Sequence, residues 1–271
     1  MLQLSETSYA LQVVVYIVIF YLGAAVFSCL NVIVKRMPQK EKLLQGKRLC
    51  PECGQVFRLR NVLPLFSFIF HKAHKGNCTY CSAKYSLRNL FMEMLGGVLA
   101  VVCVYHYELS LGCLTMFLLL CVLAVVAGID ADTQEIPPVL NVIIFLIGLL
   151  SIITLPGPTL LERLIGMFAI SLPLYLIVLV IPDGFGGGDI KMMFAAGFLL
   201  GWKGILFAFF VGLILGGGYG AFLLISKQKG RKEHFALGPF LSVGVAVSAY
   251  AGVGAMLVNN YISYIVRSMK L

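Results

Sequence analysis

Charge is what this sequence lacks. Only 12% of its 271 residues are charged, while 60% are hydrophobic. A soluble domain carries about 25% charged residues. The shortage excludes a disordered chain, a nucleic-acid-binding basic domain and an ordinary soluble enzyme, so no nucleic-acid partner is expected. The net charge of +9 therefore belongs to the membrane question first. The chain also lacks a Pro/Ser-rich linker and an internal repeat. Its first apolar stretch lacks a positive n-region and a small-residue cleavage site, which favours a true span over a signal peptide.

The charges that exist are clumped. Uncharged gaps separate Glu6 from Lys35 (28 residues), Glu108 from Asp130 (21), Glu135 from Glu162 (26), Arg163 from Asp183 (19), Lys203 from Lys227 (23) and Glu233 from Arg267 (33). A helix needs about 20 apolar residues to cross the hydrocarbon. Two further stretches, 89–107 with Glu93 near its start and 188–203 with Lys191 in its first turn, complete the pattern. The expected fold is an all-α polytopic membrane protein of about eight spans. They lie near 10–34, 89–107, 111–129, 137–156, 164–182, 188–203, 204–226 and 236–258.

With alternating spans, segment 35–88 holds twelve Lys/Arg, loop 227–233 holds four, and Lys191 joins them on the same side. Only Arg163, Lys203, Arg267 and Lys270 fall on the other. Seventeen against four is a positive-inside bias. It predicts an outside N-terminus and three regions: a first span in 1–34, a cytoplasmic insert in 35–88 and a seven-span membrane domain in 89–271. The positive side also suits anionic membrane lipid.

The insert carries Cys50-Pro-Glu-Cys53 and Cys78-Thr-Tyr-Cys81. Two such knuckles offer four thiolates to one tetrahedral zinc. The cytoplasm is reducing, which disfavours a disulfide framework. About 54 residues build little core, so a metal staple makes physical sense. A redox C-x-x-C pair is the alternative; His71 and His74 could replace one thiolate but read as surface residues. A closed four-thiolate site is structural and leaves the chemistry to other groups. Cys29, Cys103, Cys113 and Cys121 lie in apolar runs and read as buried small hydrophobes.

Acidic residues concentrate at two turns expected on the same side as the insert. One is Gly128-Ile129-Asp130-Ala131-Asp132-Thr133-Gln134-Glu135-Ile136-Pro137-Pro138. The other is Asp183-Gly184-Phe185-Gly186-Gly187-Gly188-Asp189. Acids beside spans are costly and mark function. The glycines let a peptide approach closely, and Asp189 would open the next helix at its positive end. Two carboxyls brought together can share a proton, one acting as base on water and the other as acid on a carbonyl. Helix caps, or cation ligands in a transporter path, explain the same residues equally well at this level.

A resemblance separates these readings. Gly186-Gly187-Gly188-Asp189 resembles the G-x-G-D motif of intramembrane aspartyl proteases. Asp130, six residues before Ile136-Pro137, resembles the first-aspartate motif of bacterial type IV prepilin peptidases. Ser28-Cys29-Leu30-Asn31-Val32-Ile33 with Arg36 and Pro38, the double C-x-x-C insert, Asn61-Val62-Leu63-Pro64, the run 85–93, and Leu237-Gly238-Pro239-Phe240-Leu241 resemble further signatures of that family, in order along the chain. The chain departs from it at Phe27, where Gly is usual, and at Pro138, where Asp is usual.

The resemblance implies a bifunctional enzyme of the bacterial cytoplasmic membrane. It implies catalytic Asp130 and Asp189 on the cytoplasmic side, with Asp132 as a cap or tuning charge and Asp183 as a turn residue. It implies type IV prepilin or pseudopilin precursors as substrates, with the basic leader removed after a glycine. It also implies N-methylation of the new N-terminal residue, usually phenylalanine, from S-adenosylmethionine. No standard methyltransferase glycine motif stands in the sequence, since Gly96-Gly97 and Gly216-Gly217-Gly218 lie within spans. Glu93 is the one candidate for that half. Gly212, Gly216 and Gly220 read as a helix-packing face. The rival class, a transporter or channel with a cytoplasmic zinc domain, explains less well why both acids sit at span ends rather than near the midplane.

Overall fold

The computed structural model describes residues 9–38, 87–181, 185–226 and 236–252. Cys50, Cys53, Cys78 and Cys81, Asp183 and the end of the last expected span lie outside them. Among the described residues every regular element is helical. The chain forms two compact units, Met1–Cys113 and Leu114–Leu271.

The first unit contains α1 (Tyr9–Arg36) and α2 (Leu87–Tyr107). At 1.5 Å per residue they span about 42 and 31 Å, enough to cross hydrocarbon. Phe20 lies over Gly97, Phe27 over Gly96, and the Asn31 amide donates to the Asn89 carbonyl oxygen. As residue numbers rise along α1 they fall along α2, so the helices are antiparallel. The apolar contact gives way at one end to buried Ser28, Asn31 and Glu93. Cys103 is buried as expected, but Cys29 is exposed. That corrects the reading of Cys29 as a core residue. It stands two positions from both Phe27 and Asn31, about 200° round the helix, on the face turned from α2.

The second unit continues with α3 (Leu111–Thr133), α4 (Pro138–Thr154), α5 (Leu160–Ala169), α6 (Ser171–Val180), α7 (Gly187–Ile225) and α8 (Gly238–Ala249), followed by a 3₁₀ turn. Helix α5 starts with a capping box. The Thr159 hydroxyl accepts the Glu162 N–H, and the Glu162 carboxylate accepts the Thr159 N–H at 2.9 Å. Glu162 also pairs with Lys203 at 3.2 Å. The stretch expected as one span at 164–182 is two helices that meet at Ile170.

Helix α7 is 39 residues long and broken at Gly201, whose φ of 69° and ψ of 173° belong to glycine alone. The chain reverses there. Asp189 precedes the break by a little over three turns, and Gly216 follows it by about four. Both lie at the same end of the unit: Leu237 packs on Gly216, while the next residue, Gly238, bonds Asp130, which interacts with Asp189. The second half of α7 then runs antiparallel to α8, with Gly212 and Gly216 against Leu241, Phe240 and Leu237. This is the packing face expected of Gly212 and Gly216. The break lies two residues before the boundary expected at 203/204.

A buried arginine holds the break. Arg163, 3% exposed, donates to the carbonyls of Phe198 (3.3 Å), Leu199 (3.2 Å) and Pro158 (3.1 Å) and to the Ser151 hydroxyl (2.9 Å). Phe198 and Leu199 end the first half of α7, so their carbonyls have no partner further along the helix. The guanidinium fork replaces those lost bonds and ties α4, α5 and α7 together.

Five described segments are long and apolar enough to cross a membrane: Leu11–Arg36, Leu87–Tyr107, Leu111–Thr133, Leu160–Val180 and Gly187–Leu223. Pro138–Thr154 and Gly238–Ala249 are apolar but shorter. The architecture is that of a multi-pass membrane protein.

Candidate active site

The first carboxylate owes its position to the end of α3. Gln134 has a φ of 56°, the left-handed conformation that stops a helix, and its N–H bonds the Asp130 carbonyl at 2.8 Å. The Thr133 hydroxyl donates back to Ile129 at 2.9 Å. Asp130 thus falls in the last turn, with Ile136 buried just beyond it and Pro137-Pro138 opening α4. Two consecutive prolines keep 136–137 extended and start the new helix where no N–H donor is needed.

The second carboxylate opens a helix, as the sequence led one to expect. Asp189 is the third residue of α7, where the helix presents its positive end and free N–H groups. The Gly186 backbone also bonds its carboxylate. Gly188 lies against Ile136, which closes the glycine turn onto the α3–α4 turn.

The two carboxylates, far apart in sequence, share one cavity. A space of about 250 Å³ is lined by Asp130, Gln134, Glu135, Ile136, Gly186, Gly187, Gly188 and Asp189. Asp130 is 5% exposed and Asp189 8%, and their charges interact. Asp130 accepts the Gly238 N–H at 2.8 Å through Oδ2. Asp189 keeps Oδ1 buried with no hydrogen-bond partner. Two buried carboxyls, one atom of which lacks a donor, beside a glycine-walled space suit a shared proton, a water and an extended peptide. Asp132 is exposed and does not line the cavity.

The sequence marks Gly238 only as part of a signature. Its role is a close approach: a Cβ there would lie 2.6 Å from Asp130 Oδ2, so any side chain would displace the carboxylate. Nothing in the local sequence marks this, because the contact joins residues 108 positions apart. In the first unit Glu93 is 2% exposed, on the α2 face that also carries Asn89 and Gly96. Among the described residues there is no group of three or more His, Cys, Asp and Glu able to hold a metal.

Comparison with known proteins adds independent weight. Residues 21–107 match the model of the bacterial peptidase A24 N-terminal domain, and residues 117–221 match that of the type IV leader peptidase family. A Klebsiella pneumoniae prepilin leader peptidase/N-methyltransferase is 30% identical over 198 residues, 69% of this chain and 86% of that protein. Proteins of the same name from Bacillus subtilis (strain 168) and Legionella pneumophila are 27% and 26% identical. Those matches cover 84% and 92% of this chain, and 90% and 95% of theirs. No solved structure gives a significant match.

Proposed function

The chain belongs to the type IV leader peptidase family, and on that premise we propose a mechanism in which Asp130 and Asp189 cut prepilin-type precursors at the membrane face. Membership makes the chain an enzyme, a peptidase paired with N-methyltransferase activity, and leaves the transporter reading without support. The observation that carries the mechanism is the convergence of two buried carboxyls on one glycine-walled cavity.

One carboxylate takes a proton from water, whose oxygen attacks the scissile carbonyl carbon. The other, protonated, gives its proton to the carbonyl oxygen. The tetrahedral intermediate collapses, the C–N bond breaks, and the leaving amine takes up a proton. The Gly238 N–H holds Asp130 in place throughout. A precursor with a basic leader and a membrane helix fits a site at helix ends. Cleavage after a glycine suits a peptide that must lie close against Gly186, Gly187 and Gly188.

The finer topology belongs to the same proposal. The reversal at Gly201 supports eight spans, and the Lys/Arg bias supports an outside N-terminus with both aspartates on the cytoplasmic side of a bacterial inner membrane. Cys50, Cys53, Cys78 and Cys81 are the proposed ligands of one structural zinc in the 35–88 insert. For the transferase half, S-adenosylmethionine, when bound, supplies the methyl group. Glu93, buried near Asn31 and Asn89, is the candidate to orient the new N-terminal amine and take the proton it sheds. The test is purified protein mixed with a pilin precursor in detergent. Shortening of the precursor, and its loss on Asp130→Asn, support the reading; an Asp130→Asn protein that cleaves normally overturns it.

A further inference from the structure

Asn141 is a buried polar side chain whose amide has no hydrogen-bond partner. It stands in the first turn of α4, is 6% exposed, and both its Nδ2 and its Oδ1 lack a hydrogen-bond partner. Its neighbours on the buried face are Leu140, Ile144, Ile147 and Gly148. A membrane helix has no need of an amide there: a leucine would fill the place without leaving polar atoms unpaired.

The helix register tells what Asn141 faces. Gly148, two turns further along the same side of α4, packs on Phe198 and Leu199. Ile136, at the start of α4, meets Gly188. Helix α4 and the first half of α7 therefore run side by side in the same direction. Asn141 is turned toward the helix that carries Asp189, about one turn beyond that carboxylate. On the other flank, Thr115 and Thr154 are hydrogen-bonded at 2.9 Å, which sets α3 antiparallel to α4. Counting from that pair puts Asn141 opposite residue 128, about 3 Å along the axis from Asp130. By this count the unpaired amide lies within about one helical turn of the carboxyl pair, though not among the residues that line the cavity.

We propose that Asn141 is a substrate-binding residue, its side-chain amide pairing with a main-chain peptide group of the precursor beside the scissile bond. The proposal rests on the aspartate reading above. A precursor segment must be extended to be cut, and each N–H and C=O released from its helix at the membrane edge needs a new partner. A carboxamide offers one acceptor and two donors, the complement of a peptide group. Pairing through the main chain also leaves the precursor's side chains unread at this point.

The experiment uses the Asp189→Asn protein in detergent and a fluorescent, uncleaved prepilin-type peptide as probe. Adding Asn141→Leu weakens binding about ten- to hundredfold, while the thermal unfolding midpoint holds or rises because no bonded amide is lost. In the active enzyme the same change lowers kcat/KM by a similar factor. Asn141→Ala serves as the second variant should leucine fit poorly. Binding within twofold of the parent overturns the proposal. So does a lowered unfolding midpoint in both variants, or failure of both to accumulate, since either marks Asn141 as structural. Cleavage by the wild-type chain and its loss in Asp189→Asn test the aspartate reading separately.

Discussion

Both units of the molecule bury carboxylates, and they bury them differently. Glu93 lies within α2, on a packed face between Asn89 and Gly96. Asp130 and Asp189 lie at a helix end and a helix start, where two turns meet around a cavity. A single acid on a helix face can hold a cation or take a proton, but dividing acid and base work takes two such groups. Two acids at helix termini can do that work, and backbone N–H groups are available there to fix their oxygens. Under the proposed mechanism, hydrolysis belongs to the second unit, and Glu93 in the first is the proposed residue for the amine chemistry of methyl transfer.

The sharpest way to break this contrast is to remove a carboxylate from the pair. Asp130→Asn is expected to lower cleavage by more than about 10⁴-fold, beyond the usual contribution of one general acid or base, because the pair acts as a unit. Peptidase assays on folded protein check it; near-normal turnover would overturn the assignment of Asp130. Next in size is Gly238→Ala. A methyl group 2.6 Å from Asp130 Oδ2 must push the carboxylate aside, and a displacement of about 1 Å costs on the order of 10²-fold. The expected signature is a fall in kcat with KM little changed.

Glu93→Gln sharpens the comparison from the other side. It should lower methylation of an already cleaved pilin about ten- to hundredfold, the worth of one charge-assisted hydrogen bond. Cleavage should stay within about twofold to threefold, a factor worth under 1 kcal/mol. Equal loss of both activities would unite the two regions. The smallest effect is expected from Cys50→Ser with Cys53→Ser. These should remove the proposed zinc and loosen the insert at only a partial loss of cleavage, because a closed thiolate site performs no chemistry. Metal analysis of the purified wild-type chain should give one zinc per molecule.

How legible this was in the sequence varies by feature. Charge gaps located the helices, because hydrocarbon excludes charge over a fixed length. They could not locate the break at Gly201, two residues from the expected boundary, since Arg163 on α5 joins in setting it. Nor could they show the interruption at Ile170. Asp130 and Asp189 stood out because acids at span ends are rare, and the turn residues around them have local signatures. The Gly238 contact and the unpaired Asn141 were illegible. Both depend on which helices become neighbours, and a glycine or an asparagine near a helix start usually signifies only a turn or a cap.

The measurement that bears most directly on the division of labour is a paired assay on Asp189→Asn. The variant receives an intact precursor in one reaction and a previously cleaved pilin with S-adenosylmethionine in the other. The account predicts no shortening of the precursor and methylation of the cleaved pilin at close to the wild-type rate. Continued cleavage, or loss of both reactions in a protein that still folds, would contradict it.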